Sequence, residues 1–151
     1  MDKKKILIAD DEAGIRLTVS RMLDRDYVVL EAANGEEAVE IAREQKPDLI
    51  LMDLIMPKMD GYATCSQIKA DEATRGIPVV ILTAVGHELN KKFATEMGAA
   101  AYITKPFNLQ GLKDMITLLL ASTHEKSHDS HPGSGELDLP GIARSSPFAK
   151  P

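Results

Sequence analysis

The residues best equipped for chemistry are few: Asp10 and Asp11, Asp53, Thr83 and Lys105. Each lies at or directly after a short apolar run. If those runs are strands of one open sheet, three carboxylates, a hydroxyl and an ammonium converge beyond the carboxyl ends of the strands, on a single rim. Bringing carboxylates within about 5 Å costs about 3 kcal/mol per pair at an effective dielectric of roughly 20, so their pKa values rise or a cation sits among them. An all-oxygen ligand set favours a hard divalent ion. Mg2+ is the natural candidate, because it keeps several waters and leaves coordination positions for a phosphoryl oxygen. Lys105 then serves as a fixed positive charge aimed at the same group, with Thr83 as a hydrogen-bonding partner. The pattern points to a phosphorylated aspartate.

The elements that must position these side chains are legible from periodicity. Runs at Lys5–Ala9, Tyr27–Glu31, Leu49–Met52, Pro78–Leu82 and Ala101–Ile103 are short and β-rich, and several are continuously apolar. Such strands are buried on both faces, as in a parallel sheet covered by helices. Helical patterns separate them: Ala13–Arg25, with Ile15, Val19, Met22 and Leu23 on one stripe, Gly35–Gln45 after the turn signal Asn34-Gly35, Gly61–Ala70 and Glu88–Met97. The last, Leu109–Ser122, spaces Leu109, Leu112, Ile116, Leu119 and Leu120 by three or four and is expected to dock on the sheet. Five strands alternating with five helices imply right-handed crossovers and an α/β, doubly wound five-stranded parallel sheet.

Composition narrows the function further. The chain has 151 residues, enough for one ordinary domain, with 44% hydrophobic and 27% charged residues and a net charge of −5. An acidic chain gains nothing from counterion release on a phosphate backbone, so direct nucleic-acid binding is disfavoured. One cysteine, Cys65, excludes an internal disulfide and a thiolate zinc cage, which fits a reducing, cytoplasmic setting; on the inner face of a helix with Ile68 it reads as core filler. Asp10, Asp11 and Glu12 cut the first apolar run short of a signal-peptide core. Met115–Ala121 is about a third of the roughly 20 residues a membrane span needs, so no membrane insertion is expected. From Thr123 to Pro151, 12 of 29 residues are Pro, Gly or Ser and apolar periodicity vanishes, which marks residues 1–122 as the domain and 123–151 as a flexible tail or linker.

Five short signals occur in one order: Asp10-Asp11, Asp53 through Met56-Pro57 to Asp60-Gly61, Thr83-Ala84, Tyr102 and Lys105-Pro106-Phe107. From about Lys4 to Ala121 the chain resembles the receiver domains of two-component response regulators, chemotaxis-type stand-alone receivers included. The resemblance implies strand order 2-1-3-4-5, an order the flavodoxin-like chemotaxis receiver exemplifies. It implies Asp53 as phosphoacceptor, taking phosphorus from a phosphohistidine of a sensor histidine kinase or phosphotransfer protein, or from a small donor. Asp11, Asp53 and the Ile55 backbone carbonyl would ligate Mg2+ directly, and Asp10 largely through water. Lys105, Thr83 and the neighbouring Ala84 would meet the phosphoryl oxygens. Thr83 and Tyr102 would form the switch, Tyr102 turning inward on activation and altering a partner surface made by helix 88–97, strand 101–103 and helix 109–122. Pro57 and Gly61 would hold a rigid loop, and Lys105-Pro106 would be a cis peptide aiming the lysine into the site. A phosphorylation-dependent dimer is a further option the resemblance leaves open.

Each signal has a plainer reading when isolated. Asp10-Asp11 could be an acidic pair favoured at a helix start, Asp53 a strand-end cap, Thr83 an ordinary strand residue, Lys105 a solvated lysine and Tyr102 half-buried core. Together they do not sustain those readings. His124, His128 and His131 lack a partner at fixed spacing and read as solvated tail. The expectation is therefore a phosphorylation-controlled switch, not an enzyme in its own right beyond self-phosphorylation from small donors and autodephosphorylation, with its output carried by a partner. Too few residues follow Ser122 for a second domain, so the alternatives are a stand-alone receiver or a fragment of a larger DNA-binding regulator. Aspartyl-phosphate hydrolases on a related sheet need a second acid two residues after the nucleophile, and Ile55 stands there.

Overall fold

The computed structural model describes residues 3–84, 96 and 98–128, with side chains placed for all of these except 83, 84 and 122–128. Five strands, β1 (Lys5–Ala9), β2 (Val28–Ala32), β3 (Leu49–Asp53), β4 (Val79–Ala84) and β5 (Ala101–Lys105), form one parallel sheet in the order β2-β1-β3-β4-β5. Four helices are described: α1 (Ala13–Leu23), α2 (Gly35–Gln45), α3 (Gly61–Ala70) and α4 (Leu109–His128). The helix expected at Glu88–Met97 lies outside the described residues apart from position 96.

The uninterrupted apolar runs are explained by two cores, one on each face of the sheet. Alternate residues of a strand point to opposite faces. Leu7, Ile50, Met52, Val79 and Ile81 face Ala38, Val39 and Ala42 of α2 and Cys65 and Ile68 of α3. Ile6, Ile8, Leu49, Leu51, Val80 and Leu82 face Val19 and Leu23 of α1 and Leu112, Met115, Ile116 and Leu119 of α4. Cys65 is buried, as its setting beside Ile68 suggested, and burial pushes its thiol up to about 11.

Boundaries shift where hydrogen bonding overrides side-chain type. β3, β4 and β5 run one or two residues further than their apolar stretches, because Asp53, Thr83, Ala84, Thr104 and Lys105 still pair in the ladder whatever their side chains. β2 is displaced by one residue, to Val28–Ala32, and as an edge strand it leaves Val28 exposed. α1 stops at Leu23, short of Arg25, because the N–H groups of Asp26 and Tyr27 both turn back to the Leu23 carbonyl. α4 continues past Ser122 to His128, so the first six residues assigned to the tail are helical; no Gly or Pro interrupts the chain until Pro132.

Local chemistry sets the helix starts nearest the rim. Asn34 caps α2 by accepting from the Glu37 N–H at 2.9 Å, and the Glu37 carboxylate accepts from the Ala33 N–H. Asp60 caps α3 by accepting from the Ala63 N–H at 2.8 Å. Before it, Lys58 takes a left-handed φ of 69° in a three-residue turn closed by the Met59 N–H on the Pro57 carbonyl at 2.7 Å. Gly61 is needed for space: a Cβ there would lie 2.5 Å from the Asp53 carbonyl oxygen and 2.8 Å from the Leu54 Cα. Those neighbours are backbone and cannot step aside. Gly61→Ala is therefore expected to lose about 1–3 kcal/mol of stability in urea unfolding, whereas Gly14→Ala, with nothing within 4 Å of the new methyl, is expected to gain about 0.5 kcal/mol.

Candidate functional site

Because all five strands run the same way, their carboxyl ends share one edge. Asp10 follows β1, Asp53 ends β3 and Lys105 ends β5. Lys105 Nζ lies 3.1 Å from Asp10 Oδ2 and 3.1 Å from Asp53 Oδ1, joining positions 95 and 52 residues away in the chain. Asp10, Asp11 and Asp53 each present a carboxylate oxygen within 4.8 Å of the other two. Asp10 is fully buried, the Asp53 side chain is 13% exposed and Asp11 faces solvent, so the cluster opens outward at one side. The Lys105–Pro106 peptide is cis.

The electrostatics follow from crowding. One ammonium faces three carboxylates. Burial first, and then the Asp10 charge, raise the Asp53 pKa to about 6, with Asp11 adding to the rise and the bond and charge of Lys105 offsetting part of it. At Lys105 burial pulls the other way, but its hydrogen bonds to Asp53 and Asp10 prevail and hold its pKa above the ordinary lysine value. Three oxygen donors with uncompensated negative charge, close enough to share one ion, suit a hard divalent cation such as Mg2+, whose ligand oxygens stand opposite each other at about 4.2 Å. Asp10, Asp11 and Asp53 would hold it.

Other residues singled out in the sequence take definite places. The backbone register sets Thr83 beside Thr104 and Ala84 beside Lys105, so both sit at the rim; their side chains lie outside the described set. Ile55 is 68% exposed and presents an apolar side chain beside Asp53. Tyr102 is 3% exposed and belongs to the core cluster on the α2–α3 face, a deeper position than half-buried. Positions 129–151, with His131, lie outside the described residues.

Two features gave no sequence signal. The left-handed turn at Lys58 is carried by a residue type that does not favour it. Arg16 reaches from α1 to the Asp10 carbonyl, Nη1 to oxygen 2.7 Å, a contact that depends on α1 crossing back over the β1–β2 edge.

An open parallel sheet in this order, with an acidic pocket and a cis-proline lysine at the strand ends, defines a signalling receiver fold. The response regulator receiver domain family matches residues 6–117, and the chain belongs to that family. It is 37% identical over 130 residues to "Probable transcriptional regulator ycf27" of Guillardia theta, covering 85% of this chain and 50% of that protein. It is 35% identical over 136 residues to the "Alkaline phosphatase synthesis transcriptional regulatory protein PhoP" of Bacillus subtilis, covering 89% and 56%. The chain thus spans about half the length of these curated relatives. Among solved structures, the chemotaxis response regulator CheY4 of Vibrio cholerae superposes with a TM-score of 0.72 at 30% identity, covering 78% of this chain and 98% of that one. No helix among the described residues is long and apolar enough to cross a membrane.

The raised pKa of Asp53 gives Mg2+ binding a direction with pH, because the cation must displace a proton once the carboxyl is protonated. Affinity measured by calorimetry is expected to be flat from pH 7 upward and to fall about tenfold by pH 5, below the Asp53 pKa of about 6. The same shift costs stability in the Mg2+-free protein. A carboxyl whose folded pKa lies above its unfolded one stabilises the fold while protonated, and that contribution is lost as pH rises through about 4 to 6. Asp53→Asn is expected to raise Mg2+-free stability by about 1 kcal/mol at pH 7.5 and to leave it unchanged at pH 4.

Proposed function

We propose that this chain is a phosphorylation-controlled switch in which Asp53 accepts a phosphoryl group from a histidine kinase or phosphotransfer protein. The observation that carries the reading is the shared ammonium: Lys105 sits 3.1 Å from both Asp53 and Asp10, in a cluster whose third carboxylate, Asp11, faces solvent. An ionised Asp53 oxygen attacks phosphorus as the donor's P–N bond breaks, and the leaving imidazole nitrogen keeps the electron pair and takes a proton. Little covalent chemistry is asked of the protein, so positioning and charge neutralisation suffice. Bound Mg2+ supplies charge neutralisation for the phosphoryl oxygens. In this reading Asp11, Asp53 and the Ile55 carbonyl would hold it, with Asp10 in support, and Lys105, Thr83 and Ala84 would meet the phosphoryl group.

Phosphorylation replaces the single charge of the ionised Asp53 by the nearly two of an acyl phosphate and draws Lys105 and Thr83 toward it, shifting the balance between two states of the partner surface expected at 88–97, 101–103 and 109–122. Phosphorylation favours the inward position of Tyr102, and the surface engages a downstream protein or a second copy. The setting is cytoplasmic, where sensor kinases present their phosphohistidines. A second reading, the receiver part of a longer DNA-binding regulator, is supported by relatives whose names describe transcriptional regulators and of which this chain matches about half. In either case no nucleic acid contacts the receiver itself.

Incubation with acetyl phosphate and Mg2+ should add one phosphoryl mass to the intact chain, and Asp53→Asn should abolish the gain; a gain that survives that substitution would falsify the assignment. Phosphoryl lifetime gives a second test. Ile55, two residues after the acceptor, is apolar and exposed, so it cannot orient an attacking water; in this reading it hinders the in-line approach. Ile55→Asn is expected to speed loss of the phosphoryl group several-fold in a mass-spectrometric time course.

A further inference from the structure

We propose that Arg16 is a positioning residue for the metal-binding carboxylates, acting through the peptide that joins Asp10 to Asp11; the inference rests on the reading of the rim as a Mg2+ site. Asp10 is fully buried and all of its polar atoms are engaged. Its N–H donates to the Ala32 carbonyl of β2 at 3.0 Å, its Oδ1 accepts from the Glu12 N–H at 2.9 Å and its Oδ2 from Lys105 at 3.1 Å. Its carbonyl oxygen accepts from Arg16 Nη1 at 2.7 Å, the shortest of these contacts. Arg16 is itself braced, because its Nε donates to Glu31 Oε1 on β2 at 3.1 Å.

The consequence falls on Asp11. The Asp10 carbonyl and the Asp11 N–H belong to one planar peptide, so holding the oxygen fixes the rotation of the plane between the two acidic residues. Asp11 is solvent-facing, and among the described residues no side-chain hydrogen bond or ion pair holds its carboxylate. Its direction is therefore set by the backbone, and the backbone is set by Arg16. The planar guanidinium meets Glu31 and the Asp10 carbonyl at once from two nitrogens; an ammonium in its place would lack that fork.

The sign of the effect separates positioning from charge. Arg16 is a cation close to an acidic pocket, and as a point charge it opposes a bound metal, so its removal would tighten Mg2+ binding. As a positioning residue its removal loosens Asp11 and weakens binding. Glu31 is 44% exposed, and a pair of that kind contributes little to stability, so the fold survives without it.

The test is calorimetric titration of Mg2+ into the full chain at pH 7.5, with thermal melts of the same Mg2+-free samples. Arg16→Ala is expected to weaken the Mg2+ dissociation constant about tenfold while melting cooperatively, Arg16→Lys to weaken it by less, and Glu31→Ala to act in the same direction more weakly. Unchanged or tighter binding in Arg16→Ala overturns the proposal, and should that variant fail to fold, Arg16→Lys decides by the same criterion. Asp11→Asn separates the two levels of the argument. If the parent takes up no Mg2+, or Asp11→Asn binds it equally well, the metal reading itself fails and this inference with it. If Asp11→Asn weakens binding and the Arg16 variants do not, only the role of Arg16 is lost.

Discussion

An ammonium held between two carboxylates, with a third close by, is the interaction on which the rest of the molecule turns. Lys105 neutralises part of a charge that the fold has concentrated, and burial, together with the charge that remains, leaves the Asp53 pKa near 6. Such a cluster is costly in isolation and useful when exchanged. It favours any arrangement that brings in a cation and lets the lysine turn to a more strongly charged partner. A phosphoryl group on Asp53 is such a partner, which is why a site built to be electrostatically uneasy at rest is suited to switching.

The cluster exists only because the backbone around it is closely fitted. Gly61 lets α3 begin against the exit of β3, within a space that no Cβ could share with the Asp53 carbonyl. Gly35 does the same for α2, where a Cβ would meet the Met59 carbonyl oxygen at 2.4 Å and Thr64 Oγ1 at 2.1 Å. The β3–α3 loop is thus gripped between two helix starts, with the left-handed turn at Lys58 between them. On the other side of the pocket, Arg16 ties the exit of β1 to α1 and β2. The acceptor and its companions are held by rigid elements, and the exposed Ile55 is left at the mouth.

Much of this was legible before any coordinates. Continuous apolar runs announced strands buried on both faces, and the two cores show why: Ile50 and Met52 serve one face, Leu49 and Leu51 the other. Asn34-Gly35 and Asp60-Gly61 marked the starts of α2 and α3 at the residues where those helices begin. The strand ends were less legible, because hydrophobicity stops at Met52, Leu82 and Ile103 while backbone pairing does not. The end of α4 was misplaced for a related reason. Polar residues after Ser122 look like tail by composition, but none of them breaks a helix before Pro132.

Residue types and their spacing along the chain determined the fold class, the chemical character of the site and the identities of Asp10, Asp11, Asp53 and Lys105, because burial patterns and charge are local properties. What only tertiary structure decided is which of those groups touch and how far each is buried. The 3.1 Å contacts of Lys105 and the full burial of Asp10 against the exposure of Asp11 depend on strands and helices distant in sequence, and the grip of Arg16 on the Asp10 carbonyl is braced by Glu31 of the next strand. Hydrogen bonds fall off within a few tenths of an ångström, so they are set by the final arrangement of the elements and leave no trace in the order of the residues.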